Sequence, residues 1–188
     1  MRRRLYWLAV MLAAAVAAHA AFILFVPSYR FAQFAATLAE PHGENHFFVL
    51  SPAQQQSLFP NLPVRGVTGV CRFNVENSDV IFTASLPAGF WVTTVYSDRG
   101  KAIYSVNNRQ SGSDVFTVSL SRAPGLIESV LAATDADRPE IDSGWTVNSP
   151  VPRGLVVVWY PVADAAMRDG IAAIMERSRC ESGAVRSL

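Results

Sequence analysis

Cys71 and Cys180 are the two cysteines of this 188-residue chain, and a pair of this kind in an oxidising compartment forms a disulfide. The alternation of Val70-Cys71-Arg72-Phe73-Asn74-Val75 sets Cys71 on the apolar face of a strand with Phe73 and Val75. Cys180 falls at the end of an expected C-terminal helix. A bridge would staple that helix to the sheet and close a loop of roughly a hundred residues, worth about 4–5 kcal/mol in the chain-entropy account. The competing reading is two unconnected thiols, buried or free. Neither cysteine has the company of a nucleophile or a metal ligand.

Little else in the chain offers chemistry. A Ser-His-acid triad needs a histidine beside the nucleophile, and the three histidines are His19 in an apolar run and His42 and His46 at its far side. No G-x-S-x-G elbow is present. His42 and His46, with Glu44 between them, are metal-ligand types, but Pro41 and Gly43 make a loop that would not hold them rigidly for zinc. Asp135, Asp137, Glu140 and Asp142 have the residue types of a calcium loop. They lack the EF-hand glycine, and Arg138-Pro139 interrupts the spacing, so an exposed acidic loop is the reading preferred. Asp98 and Asp114 could act as an acid/base pair if the strands they flank are neighbours. Both also suit ordinary turns, as in Ser97-Asp98-Arg99-Gly100. Trp91, Tyr96, Tyr104 and Trp159, with Trp145 and Tyr160, could line a ligand pocket in a small barrel; aromatics in strands otherwise fill cores. No catalytic residue, metal site or cofactor is assigned.

The elements that would carry these residues are legible in the hydrophobic pattern. Ser51-Pro52-Ala53-Gln54 is a capping box with proline at the first helical position, opening a helix that Pro60 and Pro63 keep short. Phe47 to Leu50 is a short strand. Val67 to Val75 and Val80 to Leu86 flank Glu76-Asn77-Ser78-Asp79, a polar turn suited to a hairpin. Phe90 to Tyr96, Lys101 to Val106, Asp114 to Ser121, Leu126 to Ala133 and Gly154 to Tyr160 are further strands, with a weak one around Gly144 to Val147. Short strands at intervals of about ten residues indicate a mainly β fold, a sandwich or jelly-roll-like domain. Asp164 to Arg179 reads as a helix with Met167, Ile171, Ile174 and Met175 on one stripe, packed across the sheet.

Leu5 to Val26 is almost unbroken apolar sequence, with His19 its one strongly polar side chain. At about 1.5 Å per residue it covers roughly 33 Å, enough to cross the ~30 Å hydrocarbon core. Arg2, Arg3 and Arg4 precede it and favour a cytoplasmic N-terminus. Ala18-His19-Ala20 also fits a signal-peptidase site, so the alternatives are a retained anchor and a cleaved signal peptide. Two features favour retention. The apolar run passes the cut, and Phe31, Phe34, Ala35 and Leu38 then continue at i, i+3, i+4, i+7 as an amphipathic helix. The division expected is an anchor over 1–27, a juxtamembrane helix and linker over 28–46, and an extracytoplasmic β domain over 47–188. Without Arg2, Arg3 and Arg4, the sixteen basic residues fall to thirteen against fifteen acidic ones. That near-neutral exported part excludes the concentrated basic face of a nucleic-acid binder. Lys101 is the only lysine, a skew that a GC-rich genome accounts for.

Cys71-Arg72-Phe73-Asn74-Val75, then Ser85-Leu86-Pro87-Ala88-Gly89-Phe90-Trp91-Val92-Thr93-Thr94-Val95-Tyr96, then Ile103-Tyr104-Ser105-Val106-Asn107-Asn108-Arg109, resemble bacterial domain-of-unknown-function family 1254. The Arg-rich start, the apolar helix and the late Gly154-Leu155-Val156-Val157-Val158 strand are similar to its short membrane-anchored members. Gly66-Val67-Thr68-Gly69-Val70 stands where longer members carry an Asp-Thr-x-Tyr segment, so no ligand role of that segment transfers. The resemblance implies a β-sandwich or jelly-roll domain of unknown activity in the bacterial inner membrane, its N-terminus cytoplasmic and its domain periplasmic. It also implies a separately encoded companion β domain of family 1214. Three functions are therefore weighed: a non-enzymatic partner-docking module, a small-molecule or glycan binder, and a carboxylate-dependent hydrolase.

Overall fold

The computed structural model describes residues 2–40, 42–59, 65–112, 115–124 and 145–183. Its first element, α1, is one helix over Arg2–Ala39 that runs through Pro27 without a break. Proline removes one i→i−4 hydrogen bond from a helix interior and crowds the preceding turn, so the far half of α1 needs outside support. That support is packing. The stripe read from the sequence is the face that docks: Ala35 and Leu38 are buried, and Phe31 and Phe34 are half-buried against the domain. Upstream, Leu5, Leu8, Leu12, Phe22 and Leu24 are exposed. Arg2–Leu38 is long and apolar enough to cross a membrane.

Nine strands form two sheets among the described residues. The first contains β1 (Phe47–Val49), β2 (Gly66–Asn74), β8 (Arg153–Pro161), β4 (Val92–Ser97) and β5 (Ala102–Asn107), adjacent in that order. The second contains β7 (Trp145–Ser149), β6 (Val115–Arg122), β3 (Val80–Ser85) and β9 (Arg179–Ser182). All pairings are antiparallel except that of β6 with β7. The sheets face each other as a sandwich, so the chain is mainly β with added helices. Each inner face carries every second residue: Val67, Cys71 and Phe73 from β2, Val156 and Val158 from β8, Val80, Phe82 and Ala84 from β3, Phe116, Val118 and Leu120 from β6. Partners in register share a face, as Thr93 opposite Val158 and Val106 do.

The other face of the first sheet is apolar too. Val70, Leu155 and Val157 are buried there beneath α1 and α2, the helix Pro52–Leu58. α2 has both hydrogen bonds of its capping box: Gln54 N donates to Ser51 Oγ and Ser51 N to Gln54 Oε1. The second sheet turns a polar face to solvent, with Thr83 and Thr117 hydroxyls 3.4 Å apart across β3 and β6. The architecture is thus three layers, helices on one sheet and that sheet on the other.

Two sequence expectations are corrected here. Val67–Val75 and Val80–Leu86 do not make a hairpin, because β2 already has β1 on one edge and β8 on the other. Glu76 to Asp79 instead arches from one sheet to the other, where β3 pairs with β6 and β9. The C-terminal helix is shorter than Asp164 to Arg179. Asp164 caps a 3-10 turn over Ala165–Met167, α4 occupies Arg168–Met175, and the chain then extends into β9. Cys180 therefore lies in a strand, not at a helix end. Ile171 and Met175 of α4 still reach the core between the sheets. Short helix α3 (Asn108–Ser111) ends at Gly112 in the left-handed conformation, φ 65°. The expected strand Leu126 to Ala133, the acidic segment Asp135 to Asp142, and Asp114 lie outside the described residues.

Cys71 and Cys180 are bonded, their Cα atoms 6.4 Å apart across 109 residues of sequence. The bridge joins β2 of one sheet to β9 of the other. Phe47, opposite Cys71, and Phe82, opposite Cys180, meet beside it with ring centroids 5.7 Å apart. Replacing both cysteines by alanine is expected to lower stability by about 3 kcal/mol, or about 10 °C in Tm. Thermal melts of the oxidised chain, the reduced chain and the double variant check it; identical melts would show that the bridge bears no stability.

Candidate functional site

The four aromatics offered as pocket walls do not face one space. Strand alternation sends Trp91 and Tyr104 to the inner face of the first sheet and Tyr96 and Trp159 to its outer face. Trp91 is fully buried against Phe116, ring centroids 5.7 Å apart. Tyr104 closes one open side of the sandwich against Trp145 of the other sheet at 5.9 Å, and burial raises its phenol above the usual value. Tyr96 packs under Phe31 of α1 at 6.0 Å. Trp159 stands over Gly66, where any Cβ would collide with the indole. Its Nε1 is enclosed without a hydrogen-bond partner among the described residues, as is Oγ1 of Thr68 directly opposite.

The histidines and the carboxylates fare likewise. His42 stacks on Phe48 with centroids 3.9 Å apart, and His46 lies 6.5 Å from His42. Glu44 between them is engaged elsewhere: it faces Arg72 at 3.6 Å and Arg153 at 3.7 Å, and accepts from Asn74 Nδ2 at 2.7 Å. Arg153 also meets Glu76 at 3.2 Å. No group of three or more metal-binding side chains occurs among the described residues. These partly exposed ion pairs contribute little, each about 0–1 kcal/mol. Asp98 follows β4, whose neighbours are β8 and β5 and not β6, the strand after Asp114; Asp114 itself lies outside the described residues.

The structure offers a different concavity, at the foot of α1. The turn between β4 and β5 folds back on the helix at Gly100, whose φ of +78° suits glycine and whose Cα side would place any Cβ 2.8 Å from Phe31. Ser97 organises the turn: its N–H donates to Lys101 O, its O accepts from Gly100 N, and its Oγ accepts from Lys101 N. Between turn and helix runs an open groove of about 610 Å³, with Leu24, Phe25, Val26, Ser28, Tyr29 and Ala32 contributed by the helix and Asp98 and Arg99 by the turn. A second, smaller groove of about 390 Å³ lies between the end of α1 and α2, lined by Leu38, Phe48, Gln54 and Leu58. Sequence reasoning singled out Asp98 for a different role and passed over Arg99, Ser28 and Tyr29. The turn motif was visible, but nothing local says which helix a turn will touch.

No family model and no curated protein matches the chain. Two solved structures are similar in fold. The VPA0106 protein from Vibrio parahaemolyticus is 8% identical, with a TM-score of 0.56 over 84% of this chain and 36% of that one. An uncharacterised protein from Burkholderia cenocepacia is 14% identical, with a TM-score of 0.54 over 84% of this chain and 39% of that one. The chain thus spans well under half the length of either structure, and at these identities the likeness is one of fold.

The docked half of α1 makes a testable hinge. Phe34 meets Phe59 edge-to-face at 5.3 Å, and Phe31 meets Tyr96. Phe31→Ala with Phe34→Ala is expected to weaken docking by about 2 kcal/mol per ring, since both are half-buried. Tryptic cleavage after Arg30 and amide exchange over residues 31–39 should rise by at least roughly 30-fold. Unchanged protection would mean that the helix is not held by these rings.

Proposed function

We propose that this chain is a single-pass protein of the bacterial inner membrane, N-terminus cytoplasmic, whose periplasmic sandwich docks a separately encoded β-domain protein without performing catalysis. The observation that carries this reading is the matched share of the two solved structures. The match covers 84% of this chain but only 36% and 39% of theirs, so the fold recurs as one part of a longer chain. The resemblance to family 1254, whose longer members join a family 1214 domain, supports the same partner. Arg2, Arg3 and Arg4 before an exposed apolar helix support the anchor and its orientation. The bridge between Cys71 and Cys180 suits an oxidising compartment.

Ligand binding between the sheets stands second. A ligand there needs room, and Trp91, Phe73, Phe82 and Phe116 interlock at the centre with exposures of 2% or less. A hydrolase stands third, because Asp98 lacks a partnered carboxylate among the described residues.

Full-length protein extracted in mild detergent from its native membrane is expected to migrate as a stoichiometric complex with a β-domain protein, detected by crosslinking and mass spectrometry. A strictly monomeric species under those conditions would remove the docking reading. A fluorescent or protease reporter fused after Leu188 should score as periplasmic, and a cytoplasmic signal would reverse the orientation.

A further inference from the structure

The groove at the foot of α1 sits at a definable height. Counting from Leu5, a hydrocarbon core of ~30 Å at about 1.5 Å per residue ends near residue 25. The groove is lined from Leu24 to Ala32, so it straddles that boundary. Below the boundary its wall is apolar, with Leu24 70% and Phe25 71% exposed. Above it polar groups join the lining: beside Val26 and Ala32 stand the Ser28 hydroxyl, Tyr29, and the turn residues Asp98 and Arg99. No flexible linker intervenes, because α1 is continuous from the apolar run to the residues docked on the sheet. The height of the β4–β5 turn above the membrane is therefore fixed by the helix.

The turn presents two opposite charges side by side. Arg99 is exposed and makes no ion pair among the described residues. Asp98 beside it is half-buried, lines the groove and makes no ion pair among the described residues, so its carboxylate is open to a cationic donor from the groove side. An anion and a cation on adjacent positions, above an apolar wall, match one molecule at this height: a zwitterionic lipid with a phosphate, a primary ammonium and an acyl chain.

We propose that this groove binds an amine-bearing phospholipid of the outer leaflet, its phosphate accepting from Arg99, its ammonium donating to the Asp98 carboxylate and its acyl chain lying along Leu24 and Phe25. The proposal rests on the membrane-span part of the reading above, not on the partner. The lipid then fills the gap between the sandwich and the bilayer and fixes the domain's rotation on its stalk. A soluble phosphate or amine lacks the acyl chain that the lower wall accommodates.

The test uses the full chain in mild detergent, with native mass spectrometry after adding phosphatidylethanolamine and phosphatidylglycerol in equal amounts. Retention of the ethanolamine lipid is expected to exceed that of the glycerol lipid by about tenfold, the worth of one hydrogen bond to a charged group. Arg99→Ala should reduce retention of both lipids by about tenfold. Asp98→Asn should abolish the preference while leaving retention of phosphatidylglycerol unchanged. Equal retention of both lipids by the parent chain overturns the proposal, and that comparison needs no variant. Retention indifferent to both substitutions, with the Cys71–Cys180 bridge intact on a non-reducing gel, overturns it as well. Alkaline carbonate extraction separates the two failures: release from the membrane refutes the span, whereas a retained chain without lipid preference refutes the site alone.

Discussion

The antiparallel ladder between β2 and β8 is buried on both faces, and the other layers exist in relation to it. Nine residue pairs, from Gly66 opposite Pro161 to Asn74 opposite Arg153, satisfy its backbone internally. A strand pair with apolar side chains on both faces must have cover on both. The second sheet covers one face through Phe82, Val118 and Leu120, and α1 with α2 covers the other through Leu38, Phe34 and Leu58. Gly154 shows how tight the centre is, since a Cβ there would meet the Tyr96 carbonyl and the Phe73 ring. Removing α1's docked half would leave Val70, Leu155 and Val157 open to water, which makes that part of the helix a structural layer of the domain.

The disulfide acts on this arrangement at its weakest margin. Among the described residues β9 is a four-residue edge strand attached to β3 alone, and short edge strands fray. Bonding Cys180 to Cys71 ties that edge to the central ladder of the opposite sheet. Asn45 reinforces the same corner by donating to Ser182 Oγ at 2.7 Å and to Asn74 O at 3.4 Å. At the other end of β2, Arg168 of α4 reaches Gly66 O at 2.7 Å and Gln55 Oε1 at 3.3 Å. α2 and α4 thus meet at the start of β2.

Continuity of α1 has a mechanical consequence for any docking role. A domain on a flexible linker samples many orientations, and a partner must pay for ordering it. Here the helix enters the fold directly, and its ring contacts with Tyr96 and Phe59 hold the sandwich at one angle to its stalk. The polar outer face of the second sheet and the Tyr104–Trp145 side are then directed away from the helix layer.

Much of this could be read in the residues. Leu5 to Val26 has the length and uniformity of a span, and Phe31, Phe34, Ala35 and Leu38 announced the docking stripe because helical periodicity is local. The capping box at Ser51 and Gln54 and the alternation of Phe116, Val118 and Leu120 were legible for the same reason. Period-2 alternation assigns residues to faces, however, and is silent on which strand lies alongside. That is why Glu76 to Asp79 read as a hairpin turn when it is an arch, and why four aromatics imagined around one pocket divide between the two faces of a sheet. Arg179 to Ser182 is too short to carry a strand signal, and only the free edge of β3 and the tie to Cys71 make it one. The placement of Asp98 and Arg99 beside Tyr29 is likewise invisible locally, since it is set by where Phe31 meets Gly100. Local sequence determined the elements and their buried faces; long-range packing decided their neighbours, because pairing energies depend on edges and surfaces that exist only once the rest of the chain has folded.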